Sequence, residues 1–199
     1  MAIIVEHDKR KREILAKALD VFTEEGYEDV TFQKIADRCG ITRTTLYIYF
    51  KNKHDIFLWS IKQLTAGLEK DLMAIISNKD LTAKDCLRAI FMKIMDACEE
   101  NKQLFAVILV YLMQIKKSGV DPQERVQRRV IHLRHLMSTV LIRGMQTGEF
   151  RKLDVKETNA LFYSLIESAI FRLAVLNQDS LSETRDILNL TIDTLLAGN

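Results

Sequence analysis

Apolar residues recur every three or four positions through most of this 199-residue chain, a pattern that predicts helices. One proline and seven glycines leave few interruptions within the periodic segments. Several segments open with a side chain that can accept a hydrogen bond from a backbone N–H, and an acid follows three residues later. This is the capping-box pattern, and it begins at Asn52, Thr82, Asp121, Asp154 and Ser180. These starts predict helices over 52–76, 82–101, 121–146, 154–177 and from 180 onward, and a strongly apolar run predicts one more over 104–115. With the segments before residue 52, we expect an all-α fold of about nine helices.

Residues 22–53 carry a more specific pattern of two short helices joined by a glycine turn. Thr31 and Thr42 can each cap a helix N-terminus, and Gly40 lies where a left-handed C-cap is easiest without a Cβ. Each helix has an inward apolar stripe: Phe32, Ile35 and Ala36 on the first, and Leu46 and Phe50 on the second. Two short helices joined in this way are typical of a helix-turn-helix that binds DNA.

The second of these helices presents hydroxyls, a guanidinium and a phenol on its outward face, a combination suited to a DNA major groove. Arginine can bond guanine in a bidentate manner, threonine can contact a phosphate or a thymine methyl, and tyrosine can reach a phosphate oxygen. The candidates for base contacts are Thr42, Arg43 and Thr44, followed by Gln33 and Thr45. The candidates for phosphate contacts are Thr31, Tyr47, Tyr49, Lys51 and Lys53.

The distribution of charge agrees with a DNA-binding surface. Between Thr31 and Lys53 there are five basic residues and one acid, Asp37, whereas the whole chain has a net charge of only +2. A second basic run, residues 9–12, opens the first helix, where the helix dipole disfavours cations. This run either faces the DNA or is a solvated helix start. The basic character is local, which favours a defined footprint over an architectural protein that coats any duplex.

These residues resemble the N-terminal domain of TetR-type transcriptional regulators. The resemblance rests on Phe22, Gly26-Tyr27, Val30-Thr31, Ile35-Ala36, Gly40-Ile41, Leu46-Tyr47, Tyr49-Phe50 and Lys53. It implies a three-helix, homeodomain-like helix-turn-helix domain over residues 1–53. It also implies a helical ligand-binding and dimerisation domain over 54–199, and an inverted-repeat operator. Thr44 and Ile48 depart from the commonest pattern, so no operator sequence can be transferred.

The last two helices are the predicted dimer interface, as the resemblance also implies. Helix eight mixes large and small residues on one face: Leu161, Leu165, Ser168, Ala169, Leu173 and Leu176. Helix nine is apolar on much of its circumference: Leu181, Ile187, Leu188, Leu190, Ile192, Leu195 and Leu196. Such a surface is hard to cover within one small chain. The alternative is a terminal helix that packs wholly into its own core.

The resemblance further implies that a small, largely hydrophobic effector binds in the C-terminal domain and releases the protein from DNA. Polar candidates to line that site are Tyr111, Gln114, His132, His135, Tyr163, Glu167 and Arg172. Glu167 stands in an apolar run, where a ligand cation or Arg172 could pair with it, or it forms a plain structural ion pair or faces solvent. His132 and His135 are three residues apart and could supply half a metal site, but no Cys or carboxylate cluster completes it. We therefore expect no metal and no cofactor.

The remaining features exclude other classes of protein. Three cysteines without metal-ligand spacing fit a reducing compartment, and we expect a cytoplasmic protein. Cys39 lies in the helix-turn-helix, where it is either a redox switch or a small buried apolar residue. No apolar run approaches the roughly 20 residues of a membrane span, and no nucleophile–base pair, phosphate loop or metal set indicates an enzyme. A regulator without a small-molecule inducer, whether an activator or controlled by a partner, remains an alternative.

Overall fold

The computed structural model describes residues 2–197, including all their side chains except those of residues 2–5, 124, 125 and 127–129. Within this range the chain forms nine helices and no strand, so the predicted all-α fold is confirmed. The helices are α1 Ala2–Asp29, α2 Phe32–Cys39, α3 Arg43–Tyr49, α4 Lys53–Ser77, α5 Ala83–Glu100, α6 Lys102–Lys117, α7 Pro122–Gln146, α8 Val155–Ala174 and α9 Ser182–Asp193.

The chain divides into two compact units. The first is Met1–Gly67 with Val107–Tyr111, and the second is Leu68–Ala106 with Leu112–Asn199. Both α4 and α6 therefore contribute residues to each unit. The functional boundary expected at residue 53 stays a prediction, because compactness alone does not say which residues bind DNA.

The first unit is built from α1, α2, α3 and the first part of α4 around a buried apolar core. α1 bends at Gly26, whose φ of 80° is easily adopted without a Cβ. Tyr27 follows the bend, and its ring lies 4.9 Å from that of Phe57 and 5.0 Å from that of Tyr111. The buried Ser60 hydroxyl donates to the Leu15 carbonyl over 2.9 Å and ties α4 to α1.

The second unit is organised around α5, which packs against α7, α8 and α9. Phe91 of α5 and Phe162 of α8 are fully buried and stack at 4.5 Å. The apolar residues of α9 and its flanks that are expected to face a second subunit fall into a buried set and an exposed set. The buried set belongs to this core: Leu181, Leu188, Ile192 and Leu195. Only Ile187 and Leu190 of the large apolar residues expected at the interface are exposed on α9.

Most of the predicted helix starts are confirmed by capping hydrogen bonds. The side chains of Thr31, Thr42, Thr82 and Asp154 each accept from the backbone N–H three residues on. Asn52 accepts from Asp55 N, and Asp121 from Gln123 N.

The last helix begins one residue later than a cap at Ser180 predicts. α9 begins at Ser182, whose N–H donates to the Ser180 hydroxyl over 3.2 Å, and the Leu181 N–H donates to the Glu99 carboxylate over 2.7 Å. The preceding helix, α8, also ends earlier than predicted, at Ala174, and Asn177 beyond it has a φ of 54°.

Candidate nucleic-acid interface

The turn between α2 and α3 fixes the angle of α3 through backbone geometry. Gly40 has a left-handed conformation (φ 67°, ψ 35°), and its N–H donates to the Asp37 carbonyl over 3.0 Å. The next N–H, that of Ile41, donates to the Ala36 carbonyl over 3.1 Å. These bonds satisfy the last carbonyls of α2 and turn the chain sharply. Since Leu46 is fully buried, α3 is anchored by its inner face and presents its other side to solvent.

Arg43 is held on the outward face of α3 by Tyr47, which is itself held by a second aromatic ring. Its Nη2 donates to the Tyr47 hydroxyl over 3.2 Å, and its guanidinium lies 5.7 Å from the centre of the Tyr47 ring. The Tyr47 ring in turn packs at 4.5 Å against Phe32 of α2. The guanidinium is exposed and keeps further N–H donors for a partner. A supported arginine of this kind loses less conformational freedom on binding than an unsupported one.

The predicted threonines serve as caps and keep donor capacity. Thr31 and Thr42 each accept a backbone N–H, and the Thr42 and Thr45 hydroxyls lie 2.8 Å apart. One hydroxyl of the Thr42–Thr45 pair donates to the other, so the pair keeps one hydrogen to donate, as Thr31 does, for example to a phosphate. Thr44 is exposed, and Gln33 is exposed with its amide donating to Asp37 over 2.7 Å.

The start of α1 lies beside the end of α3. The His7 ring stacks on Tyr49 at 4.6 Å, and the Lys11 ammonium lies 5.4 Å from the Phe50 ring and 4.4 Å from the Trp59 ring. Sequence analysis did not identify His7. These contacts bring the basic run at residues 9–12 close to the candidate DNA-binding helix.

Two of the five basic residues counted around the helix-turn-helix are paired with acids of α1. Lys34 binds Glu25, and Arg38 binds Glu24 through both guanidinium nitrogens. The Arg38 hydrogen bond lowers the pKa of the Glu24 carboxyl, and the same bond raises the pKa of Arg38. The local excess of positive charge is therefore smaller than the sequence indicates. Glu24 and Glu25 precede Thr31 in the chain, so the count from Thr31 to Lys53 does not include them.

Lys53 is predicted to contact a phosphate, and in the structure its ammonium is bonded to backbone carbonyls of the same chain. Its ammonium donates to the carbonyls of Tyr27, Glu28 and Val30 over 2.9, 2.8 and 2.9 Å. An ammonium has three N–H donors, so all of them are used. Lys53 thus caps the C-terminal end of α1, where the helix dipole favours a cation. By contrast, Lys51 is exposed, and its ammonium has no partner among the described residues.

The seven candidate ligand residues lie in dissimilar environments. Tyr111 belongs to the first unit, where it is buried among the rings of Tyr27, His54 and Phe57. Gln114 is half-buried and belongs to the second unit. Tyr111 therefore contributes to the aromatic core of the first unit, and its contact with a ligand stays a prediction.

The two α7 histidines face solvent rather than an interior site. His132 and His135 are both exposed, and their contact with a ligand stays a prediction. In the described part of the chain, no three His, Cys, Asp or Glu residues are arranged to hold a metal ion.

Glu167 and Arg172 do not pair with each other. Arg172 binds Glu183 at the start of α9, whereas Glu167 is exposed and needs no buried counter-ion. Burial raises the pKa of the Tyr163 phenol to about 12, and the nearby Glu167 carboxylate adds to the shift. On the other side of the ring, the Arg134 guanidinium lies 5.0 Å away.

Ile48 was noted in the sequence only as a departure from a family pattern, yet it is the most exposed large apolar residue described, at 70%. The exposure of Ile48 follows from its position in the sequence, two residues after the buried Leu46 and thus nearly opposite it on the helix.

Across the described residues, no helix has the length and apolarity needed to span a membrane.

Comparison with known proteins shows which family the helix-turn-helix segment matches. Residues 14–58 match the family model for bacterial regulatory proteins of the tetR family. The fatty acid metabolism regulator protein of Bacillus subtilis is 25% identical over 167 residues, covering 81% of this chain and 84% of that protein.

Solved structures show the same fold. A TetR transcription regulator from Haloarcula marismortui superimposes with a TM-score of 0.83 at 19% identity, covering 96% of this chain and all of that one. FadR from Bacillus subtilis, in complex with stearoyl-CoA, superimposes with a TM-score of 0.74 at 23% identity, covering 94% and 98%. The matched segment contains the whole helix-turn-helix described above, and the relatives are transcriptional regulators, not enzymes. Residues 14–58 therefore match the helix-turn-helix domain of the TetR family of bacterial transcriptional regulators, and the fold of the chain is that of solved TetR regulators.

Proposed function

We propose that this regulator is a homodimeric repressor that binds an inverted-repeat operator through α3 and is released by a small hydrophobic effector. In this proposal residues 1–53 bind DNA, and residues 54–199 bind the effector and form the dimer. The observation that carries it is the outward face of α3, where an exposed guanidinium is supported by Tyr47 and Phe32. A side chain fixed in this way, outside the core, is organised for a partner.

Base recognition falls to Arg43, with Thr42 and Thr44 beside it at the start of α3. The guanidinium can donate two parallel hydrogen bonds to guanine O6 and N7, the commonest specific contact in major grooves. Gln33 and Thr45 lie at the margin of the same surface, and Gln33, Thr42 and Thr45 already have intramolecular partners. They can contact DNA only by sharing or exchanging those bonds.

Phosphate contacts fall to hydroxyls and to Lys51. Thr31, Tyr47 and Tyr49 can donate hydrogen bonds to phosphate oxygens, and Lys51 supplies an exposed charge. Lys53 contributes indirectly, since its three carbonyl bonds fix α1 against the start of α4.

Dimerisation is proposed to use α8 and α9. Both helices and the turn after α8 have large apolar side chains on the surface of the isolated chain: Leu161, Phe171, Val175, Leu176, Ile187 and Leu190. Leu165, Ala169 and Leu173 of the predicted α8 face are instead fully or partly buried within the chain's own core. A second copy that covered the exposed set would remove this apolar area from water.

The dimer can be tested at Leu190, which is 67% exposed and so can be changed without disturbing the fold. We expect Leu190→Asp to give a folded monomer in sedimentation experiments. Ile131→Asp on α7, where the isoleucine is also exposed, is the matched control and should remain a dimer. If both variants stay dimeric, the interface lies elsewhere.

A long-chain acyl-CoA is the effector we propose to test first. A relative that covers most of the chain is named for fatty acid metabolism, and a structure of the same fold was solved with stearoyl-CoA. Effector binding would favour a dimer conformation with lower operator affinity, with α4 as the connecting element because it continues from the first unit into the second. Coupling of this kind typically changes affinity by roughly 5- to 150-fold.

The test of DNA binding is selection of the full-length protein on a random duplex library at near-physiological salt. An enriched inverted repeat would support a dimeric, sequence-specific regulator. Binding without enrichment that is lost as salt rises would favour an architectural protein.

The effector is tested on the selected duplex with stearoyl-CoA, stearate and CoA as separate probes. Release by stearoyl-CoA alone would support an acyl-CoA effector, and release by stearate as well would make the acyl chain sufficient. If none of the three changes DNA affinity, acyl-CoA control is rejected while the selected operator still stands. A regulator without a small-molecule inducer then becomes the better description.

A further inference from the structure

Ile48 occupies the centre of the exposed face of α3. It is 70% exposed, and Thr44 lies one turn before it on the same stripe. The side chains on either side of this stripe are held by other helices, since Tyr47 packs on Phe32 and Tyr49 stacks on His7. The stripe of Thr44 and Ile48 has no such support and projects furthest from Leu46.

The exposed isoleucine contributes little to the stability of the chain. Leu46 and Phe50 fill the inner side of α3 and are fully or almost fully buried. A β-branched residue is also a slightly poorer helix former than alanine in a helix as short as α3. An apolar side chain in this position gains free energy only when a partner removes it from water.

The chemistry of the major groove offers one apolar group on the base edges, the 5-methyl group of thymine. We propose that Ile48 recognises the 5-methyl group of a thymine in each operator half-site. This inference rests on the proposed DNA-binding function and adds a specificity determinant to it. Arg43 would select a guanine by hydrogen bonds, and Ile48, five residues further along α3, would select a thymine by apolar contact.

The size of the effect follows from the group that is buried. Enclosing one methyl group contributes ~0.8 kcal/mol, about a fourfold change in affinity. In a symmetric dimer that uses both half-sites, loss of both contacts should weaken binding about 16-fold. A change of this size is readily measured by titration of labelled duplex.

The experiment is parallel selection on a random duplex library with the wild-type protein, Ile48→Ala and Ile131→Ala. Ile131 is also an exposed isoleucine on a helix surface and is the matched control. We expect Ile48→Ala to select the wild-type motif with the thymine preference lost at one position in each half, and Ile131→Ala to select the motif unchanged. Ile48→Val should retain part of the preference, since it keeps a branched apolar side chain.

Deoxyuridine then tests the methyl group itself. Replacing the identified thymine by deoxyuridine in both half-sites should weaken wild-type binding about 16-fold and leave Ile48→Ala binding unchanged. If deoxyuridine weakens both proteins equally, the methyl group is not read by Ile48 and the inference is overturned.

The two proposals fail in distinguishable ways. A wild-type protein that enriches no motif overturns the proposed function and this inference with it. A wild-type motif that Ile48→Ala also selects, with every thymine preference intact, overturns only the role of Ile48. Circular dichroism and thermal melting of each variant confirm that the protein remains folded in the comparison.

Discussion

Replacement of Lys53 and of Lys51 by alanine should separate a structural lysine from a DNA-contacting one. The two residues are close in sequence, and both belong to the predicted phosphate contacts. The Lys53 ammonium donates to three carbonyls at the end of α1 and lies 5.0 Å from the Tyr27 ring. Lys51 is exposed, with an ammonium that contacts no described side chain.

The expected loss of stability in Lys53→Ala is about 2 kcal/mol. Each of the three hydrogen bonds has a charged donor, but Lys53 is only half-buried and water can partly replace it, so a net ~0.7 kcal/mol per bond is appropriate. For a chain of this length, 1 kcal/mol lowers Tm by about 2–4 °C, giving a total of about 4–8 °C. Lys51→Ala should melt within about 1 °C of the wild-type protein, since exposed side chains without partners contribute little.

DNA titration on the selected duplex at several salt concentrations completes the comparison. Lys51→Ala should weaken binding and reduce the salt slope by about 0.9 for each phosphate contact removed. Lys53→Ala, measured well below its Tm, should leave the salt slope unchanged. The reasoning is refuted if Lys53→Ala melts like the wild-type protein and flattens the salt slope as Lys51→Ala does.

Three further substitutions and one labelling experiment follow from the structure. Gly144→Ala would press a Cβ into the buried ring of Phe150, so we expect calorimetry to show a net loss of ~1–2 kcal/mol. Gly67→Ala has open space in α4 and should instead gain up to ~1 kcal/mol in helix propensity. Burial raises the pKa of the Cys39 thiol, so little thiolate is present at pH 8, and iodoacetamide should label it only as fast as the first unit opens. Rapid labelling of folded protein would instead support a redox role. Arg43→Ala should lose roughly 1–3 kcal/mol of discrimination at one base pair per half-site, and uniform weakening on all sequences would make it a phosphate contact.

The features that could be predicted from sequence are those fixed by neighbouring residues. A capping threonine and the N–H it accepts are three positions apart, so Thr31, Thr42 and Thr82 could be recognised without a structure. The left-handed Gly40 follows from the same local chemistry. The hydrogen bond from the Leu181 N–H to Glu99 could not be found in this way, because Glu99 lies 82 positions earlier in the chain.

The candidate ligand site was harder to predict because burial depends on which helix face meets another helix. His132 and His135 are polar residues in an apolar segment, a pattern equally consistent with an interior site and with the solvent face they occupy. Tyr111 lies in the apolar helix α6, but five residues of that helix, Val107–Tyr111, belong to the first compact unit. A periodic pattern gives the spacing of contacts along a helix and does not identify the partner.

The pairing of charges within the first unit changes how its DNA affinity should arise. Lys34 and Arg38 each have a carboxylate beside them, and Lys53 is bonded to three carbonyls, so an approaching phosphate meets less positive potential than five nearby cations would produce. Of that group, Arg43 and Lys51 remain exposed and free of acidic partners among the described residues. The hydroxyls of Thr31, Tyr47 and Tyr49 can bind phosphate without adding charge, and such contacts release no counterion. Affinity in this protein should therefore depend more on the fit of α3 to base edges, and less on salt, than its basic sequence indicates.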